Sequence, residues 1–327
     1  MKLENELNPP RFDVKNWAFT MLPREPLEEV IKNMYVTPSV NVLVGDAGVG
    51  KTWVTIFMGV CLAAGMDYLD FEIAESKRVL YIDEESGSWR FTLRQKAAFK
   101  GAMLPEDTDL PFFFVSMSNL ELSNREDEAE LQSLIEEMKI DVCFIDSLSM
   151  IAMGDENSKE DMQVIFKALR RIADQTRCAF VVIHHIGKSG LYRGSTAIKQ
   201  SLDSMITMTK SEGSTLARFV TTKNRDGALR KFAADLHWSE GGEPEFWMLP
   251  CEFTSEGGAH SKSKQFVIDY LEEHGESYRK KIIEVGEERS IVAAERAIKD
   301  LVIEGTIHRT NQGGRGVAAI YDLTEKK

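Results

Sequence analysis

The sequence predicts an α/β protein: a doubly wound, mostly parallel sheet with an antiparallel extension, followed by a smaller module. Three observations predict it. From Asn41 to Ile183, short continuously apolar runs alternate with longer helical periods, as strands buried on both faces and separated by helices do. A glycine-rich turn, Gly45 to Gly50, joins the first such run to an apolar helix. Past Thr254 a small, polar, glycine-rich stretch interrupts the pattern before helical periods resume.

The elements follow in order. Residues 1–38 are polar and proline-bearing and read as an N-terminal arm, in which Pro26–Asn33 is expected to be a short helix with proline in its first turn. Residues 39–254 form the core. Strands are expected at Asn41–Val44, Arg78–Ile82, Phe112–Val115, Val142–Ile145 and Ala179–Ile183. Helices are expected at Thr52–Gly65, Trp89–Lys100, Glu126–Met138 and Lys159–Gln175. After Asp203, Ser204–Thr209, Ala217–Thr222 and Lys231–Trp238 read as hairpin-like strands that extend the sheet antiparallel. Residues 262–327 hold three helical periods, Lys264–His274, Tyr278–Val285 and Ile291–Glu304, then two short strands around a glycine-rich turn at Asn311–Gly316. Three helices and such a hairpin spell a winged helix.

Composition fits this picture. The chain has 327 residues, 43% hydrophobic and 28% charged, so it has apolar material for a large core and is neither disordered nor collagen-like. A net charge of −12 excludes a surface coated in basic residues, although a local basic loop suffices to hold nucleic acid. Cys61, Cys143, Cys178 and Cys251 have no metal-ligand spacing and read as reduced thiols of an intracellular protein. The N-terminus carries no apolar leader, and no run of 18 apolar residues occurs, so a cytoplasmic protein without membrane contact is expected.

Gly45-Asp46-Ala47-Gly48-Val49-Gly50-Lys51-Thr52 fits G-x-x-x-x-G-K-[ST] at every fixed position, between a strand and a helix. Glycines let backbone N–H groups wrap phosphates, and the helix N-terminus adds positive potential. Lys51 then reaches the β- and γ-phosphates of ATP, and the Thr52 hydroxyl takes Mg²⁺. Such a site needs an acid at the end of a later strand. Asp146, which follows Val142-Cys143-Phe144-Ile145, meets that need. Hydrolysis also needs a carboxylate to orient water. Three acids, Asp83-Glu84-Glu85, end the second strand, and Glu85 is the first candidate with Glu84 second. His184 and His185 end the fifth strand, where one of them is placed to bond the γ-phosphate.

These segments, in this order, resemble the RecA-like core of superfamily 4 hexameric helicases, in particular the plasmid RepA-type and phage gene-4/DnaB-type enzymes. The resemblance covers roughly residues 15–250. It implies that His185 senses the γ-phosphate and that Glu85 activates water. Asp155–Ser158 and Tyr192–Ala197 fall where the family carries its channel loops, so Lys188 and Arg193 are expected to face single-stranded DNA. Thr222-Lys223-Asn224-Arg225-Asp226-Gly227 looks like the family's K-x-R motif, which implies that Lys223 and Arg225 reach a neighbouring subunit's γ-phosphate. An arginine finger of this kind is worth about 10³–10⁵ in rate. A homo-oligomer, a hexamer by resemblance, follows. The segment before Val40 is too short for the family's N-terminal partner or primase domain and is expected to be a linker arm.

In the C-terminal module the third helix carries Arg289, Arg296 and Lys299, and the wing carries Arg315, all candidates for DNA contact. Acidic and basic residues balance there, so docking of a replication partner protein is the other expectation. The resulting reading is an ATP-hydrolysing, ring-forming motor on single-stranded DNA, a replicative-type helicase of a plasmid, phage or mobile element. Its rivals are a RecA-like recombinase in open filaments and a nucleotide-gated winged-helix regulator.

Overall fold

The computed structural model describes residues 15–22, 27–152, 159–185, 201–239, 243–253, 262–285, 297–299, 301–302, 306–311 and 319–324. A short helix α1, Trp17–Thr20, precedes a two-stranded hairpin of β1, Glu28–Ile31, and β2, Tyr35–Thr37. The helix expected at Pro26–Asn33 is therefore replaced by a strand and a turn. Asn33 takes φ 61°, which asparagine tolerates, and Met34 N–H donates to the Ile31 carbonyl at 2.9 Å to close the turn. Lys32 N–H and Nζ both bond Glu72, so a distant segment holds the hairpin.

One sheet of nine strands organises the core. Its strands are β3 (Ser39–Gly45), β4 (Val79–Asp83), β5 (Phe112–Ser116), β6 (Val142–Asp146), β7 (Ala179–His185), β8 (Ser204–Lys210), β9 (Leu216–Asn224), β10 (Lys231–Trp238) and β11 (Phe246–Cys251). They lie in the order β11-β10-β9-β8-β3-β7-β6-β4-β5. Strands β5, β4, β6, β7, β3 and β8 run parallel. Here Ser204–Lys210 departs from the expected hairpin role. It pairs parallel to β3, and only β9, β10 and β11 extend the sheet antiparallel. Strand β11 has no counterpart among the expected elements, because Phe246-Trp247-Met248-Leu249-Pro250-Cys251 is buried throughout and shows no alternation.

Helices α2 (Lys51–Ala64), α3 (Ser88–Gly101), α4 (Arg125–Met138) and α5 (Lys159–Thr176) cover the two faces. Successive strand residues point to opposite sides. Leu43, Tyr81, Phe144 and Val181 thus pack with Val54, Ile56 and Phe91 of α2 and α3, whereas Val44, Ile82, Ile145 and Val182 pack with Leu131, Phe166 and Leu169 of α4 and α5. This two-sided burial is why the strands read as unbroken apolar runs. The four cysteines are buried and unpaired.

The C-terminal module has α6 (Lys262–His274), α7 (Arg279–Val285), helical turns at 297–299 and 301–302, and three strands, β12 (Ser277–Tyr278), β13 (Ile307–Arg309) and β14 (Ile320–Leu323). The strands pair antiparallel in the order β12-β14-β13. Val267, Leu271, Ile282, Ile298, Leu301 and Ile307 form a separate small core. Among the described residues no helix is long and apolar enough to cross a membrane.

Candidate nucleotide-binding site

Sheet register gathers the site. Gly45 lies level with His185, Asp83 with Asp146, and Asp146 with Ile183, so the C-terminal ends of β3, β7, β6 and β4 present these residues along one edge. Ligands of open α/β sheets bind at this edge. Gly45 must be glycine here, because an added Cβ would sit 2.5 Å from the Met208 carbonyl of β8.

From Gly45 the chain turns back into α2. Gly50 caps the helix at φ 102°, a conformation that favours glycine, and offers no side-chain acceptor to the first helical N–H groups. No acid stands in the first turn. Lys51 Nζ folds into the loop, donating to the carbonyls of Gly45 at 2.7 Å and Asp46 at 2.8 Å. It also lies 3.1 Å from His185 Nδ1. Burial lowers the Lys51 pKa to about 8, against the opposing attraction of Asp146, Glu85 and Asp46. A donating ammonium makes His185 Nδ1 the acceptor and leaves the ring proton on Nε2. That nitrogen lies 3.4 Å from Glu85 Oε2.

Asp146 is 1% exposed, and burial raises its pKa to about 6. Its Oδ2 accepts from the Thr52 hydroxyl at 2.7 Å and from Tyr81 at 3.2 Å, and Tyr81 in turn contacts the Thr55 hydroxyl at 2.9 Å. Its Oδ1 is buried without a hydrogen-bond partner. A hard oxygen held beside a threonine hydroxyl and left unsatisfied suits Mg²⁺. The residues present therefore fit the Mg²⁺–nucleotide that a P-loop takes.

The three acids after β4 have different surroundings. Asp83 is buried and accepts from Ser86 N–H and the Ser116 hydroxyl, both at 2.9 Å. Glu84 is buried and accepts from the N–H groups of Ser118, Asn119 and Leu120 and from the Ser118 hydroxyl. It ties down the segment after β5. Glu85 alone faces the lysine and histidine, its side chain half exposed. Burial and the neighbouring cations His185 and Lys51 lower the His184 pKa to about 4, so that ring is neutral.

Lys223 and Arg225 lie at the other end of the sheet. Asn224 is level with Ser204, and Ser204 with Asn41, four residues before Gly45. At about 3.3 Å per residue, the P-loop begins roughly 13 Å further along. Arg225 bonds Asp203 Oδ1 at 3.1 Å. Burial and the adjacent Arg225 lower the Lys223 pKa. Lys299 pairs with Glu245 at 3.4 Å. Lys188, Arg193, Arg289, Arg296 and Arg315, and the segments Asp155–Ser158 and Tyr192–Ala197, lie outside the described residues. Sequence reasoning passed over Tyr81 and Asp203. An OH on a strand that ends beside the site was a usable signal for the first, and nothing local marked the second.

Sheet order, P-loop and strand-end acid together define a RecA-like P-loop ATPase domain. The chain belongs to the AAA-domain family AAA_25, whose model matches residues 5–190. Two solved structures are similar in fold. The ATPase domain of a DnaB-like helicase has 12% identity and a TM-score of 0.46, covering 61% of this chain and 81% of that one. The RadB recombinase has 14% identity and a TM-score of 0.42, covering 62% and 88%. No curated protein matches the chain.

Proposed function

We propose that this protein is an ATP-hydrolysing, ring-forming motor on single-stranded DNA, of the replicative-helicase type found on plasmids, phages and mobile elements. The observation that carries the reading is the line Lys51–His185–Glu85 at one end of the sheet, with Arg225 at the other. Lys51 binds the β- and γ-phosphates. Glu85 orients the attacking water and takes its proton, since its exposed carboxylate is the one acid of its run without a structural partner set of its own. His185, bonded to both, registers the γ-phosphate. Thr52 and Asp146 hold Mg²⁺, which neutralises charge on the phosphates when bound.

Arg225 stands too far from its own P-loop to serve it, which supports a role in trans with Lys223. Two such subunits complete one site, and a closed ring completes all of them. The C-terminal module, with its own core and three-stranded sheet, is proposed to be a winged helix that contacts nucleic acid or a replication partner. Lys188 and Arg193 are proposed to face the strand.

The test is the steady-state ATPase rate of the purified chain with and without single-stranded DNA, with Lys51→Ala as blank. Strong stimulation supports a motor whose inter-subunit site the strand aligns. A rate unchanged by DNA would overturn the motor reading and favour a nucleotide-gated regulator. Strand exchange on filaments, without unwinding, would favour a recombinase.

A further inference from the structure

Asp203 is a buried carboxylate outside the nucleotide site, with its side chain 6% exposed. Its Oδ2 accepts from Val40 N–H at 2.8 Å and from Arg170 Nη1 at 2.6 Å, and its Oδ1 accepts from Arg225 Nη1 at 3.1 Å. The backbone repeats both links. Asp203 N–H donates to the Val40 carbonyl at 2.9 Å, and Arg225 N–H donates to the Asp203 carbonyl at 2.8 Å. Val40 belongs to β3, the strand whose far end is Gly45. Asp203 is thus fixed to the P-loop strand by two bonds and fixes Arg225 by two more. The Arg225 side chain remains 51% exposed, so one side of the guanidinium is held and the other is open.

Resting on the trans-finger reading above, we propose that Asp203 is the positioning residue of the Arg225 finger: it aims the guanidinium outward toward the neighbouring subunit's phosphates. A charge-assisted bond to a rigid carboxylate restricts a long side chain that would otherwise sample many rotamers. A misplacement of about 1 Å costs on the order of 10²-fold in such a site.

Mixed oligomers test this. Arg225→Ala subunits keep an intact P-loop but present no finger. Lys51→Ala subunits present a finger but cannot hydrolyse. If the finger acts in trans, mixing the two restores ATP hydrolysis that neither has alone. Failure of that control overturns the trans-finger reading itself. The donor is then changed to Lys51→Ala with Asp203→Asn, which keeps an acceptor for Val40 N–H but removes the charge. Rescue is expected to fall by about tenfold or more. A parallel donor, Lys51→Ala with Asp203→Asn and Arg170→Met, removes the second guanidinium together with its counter-ion, so no half-buried cation is stranded. Folding is read in Lys51-intact versions of both from binding of a fluorescent ATP analogue, expected to match the unmodified chain. Rescue equal to that by Lys51→Ala, from either folded donor, would overturn the positioning role while leaving the trans finger standing.

Discussion

Lys51 Nζ and His185 Nδ1 lie 3.1 Å apart although 134 residues separate them in the chain. The contact is set by β3 and β7 pairing parallel with Gly45 level with His185. The ammonium is thereby held inside the loop that phosphates would enter, and the histidine links it to Glu85.

Lys51→Ala is expected to abolish ATP hydrolysis. The variant removes the cation that meets the phosphates and leaves the core untouched. Steady-state phosphate release measures it, and unchanged turnover would remove the site assignment.

Nucleotide affinity is expected to fall as the pH rises above about 8. Burial holds the free Lys51 ammonium at a pKa of about 8, and phosphate binding requires the charged form. Above that pH, binding must take up a proton, which weakens it by up to about tenfold per pH unit. Titration with a fluorescent ATP analogue at about pH 7 and pH 9 reads this, and equal affinities would mean that Lys51 does not meet the phosphates. For stability the sign is opposite. The unfolded chain binds the extra proton between this pKa and the ordinary lysine value of 10.5, so this group's contribution to stability rises with pH across that window.

Glu85 and Glu84 are expected to fail differently. Glu85→Gln is expected to keep nucleotide binding and lose turnover, by about 10²-fold or more for a lost general base. Glu84→Ala strands three N–H groups and a hydroxyl that its carboxylate now receives. Unsatisfied buried donors cost about 1–3 kcal/mol, which lowers Tm by several degrees in a domain of this size. Parallel melts and rates separate the two. A Glu85→Gln variant that turns over normally would transfer the base role elsewhere.

Gly101→Ala is expected to destabilise the core. A Cβ there would overlap the Phe246 carbonyl of β11, so α3 or the edge strand must move. Overpacking of this kind costs about 1–3 kcal/mol. An unchanged Tm would mean that β11 does not press on α3.

Much of the core was legible because it is local. The strand-turn-helix around Gly45 to Thr52 needs only glycines, a lysine and an apolar run before it. Strands buried on both faces advertise themselves as continuous apolar segments. The failures came where distant groups decide. Glu28–Ile31 became a strand because Glu72 grips Lys32, and β11 had no alternation to betray it.

The sequence by itself determined the P-loop, the parallel α/β core and the acid that ends β6, because backbone conformation and apolar periodicity are properties of neighbouring residues. It also brought Glu85 and Glu84 to the same strand end, but could not separate them. That separation is tertiary: the segment after β5 supplies donors to Glu84, and the ring of His185 faces Glu85. The placement of Arg225 far from its own P-loop, held by Asp203, is tertiary as well. Which hydrogen-bond partner a side chain finds depends on strand order and register, and these are set by pairing between residues far apart in the chain.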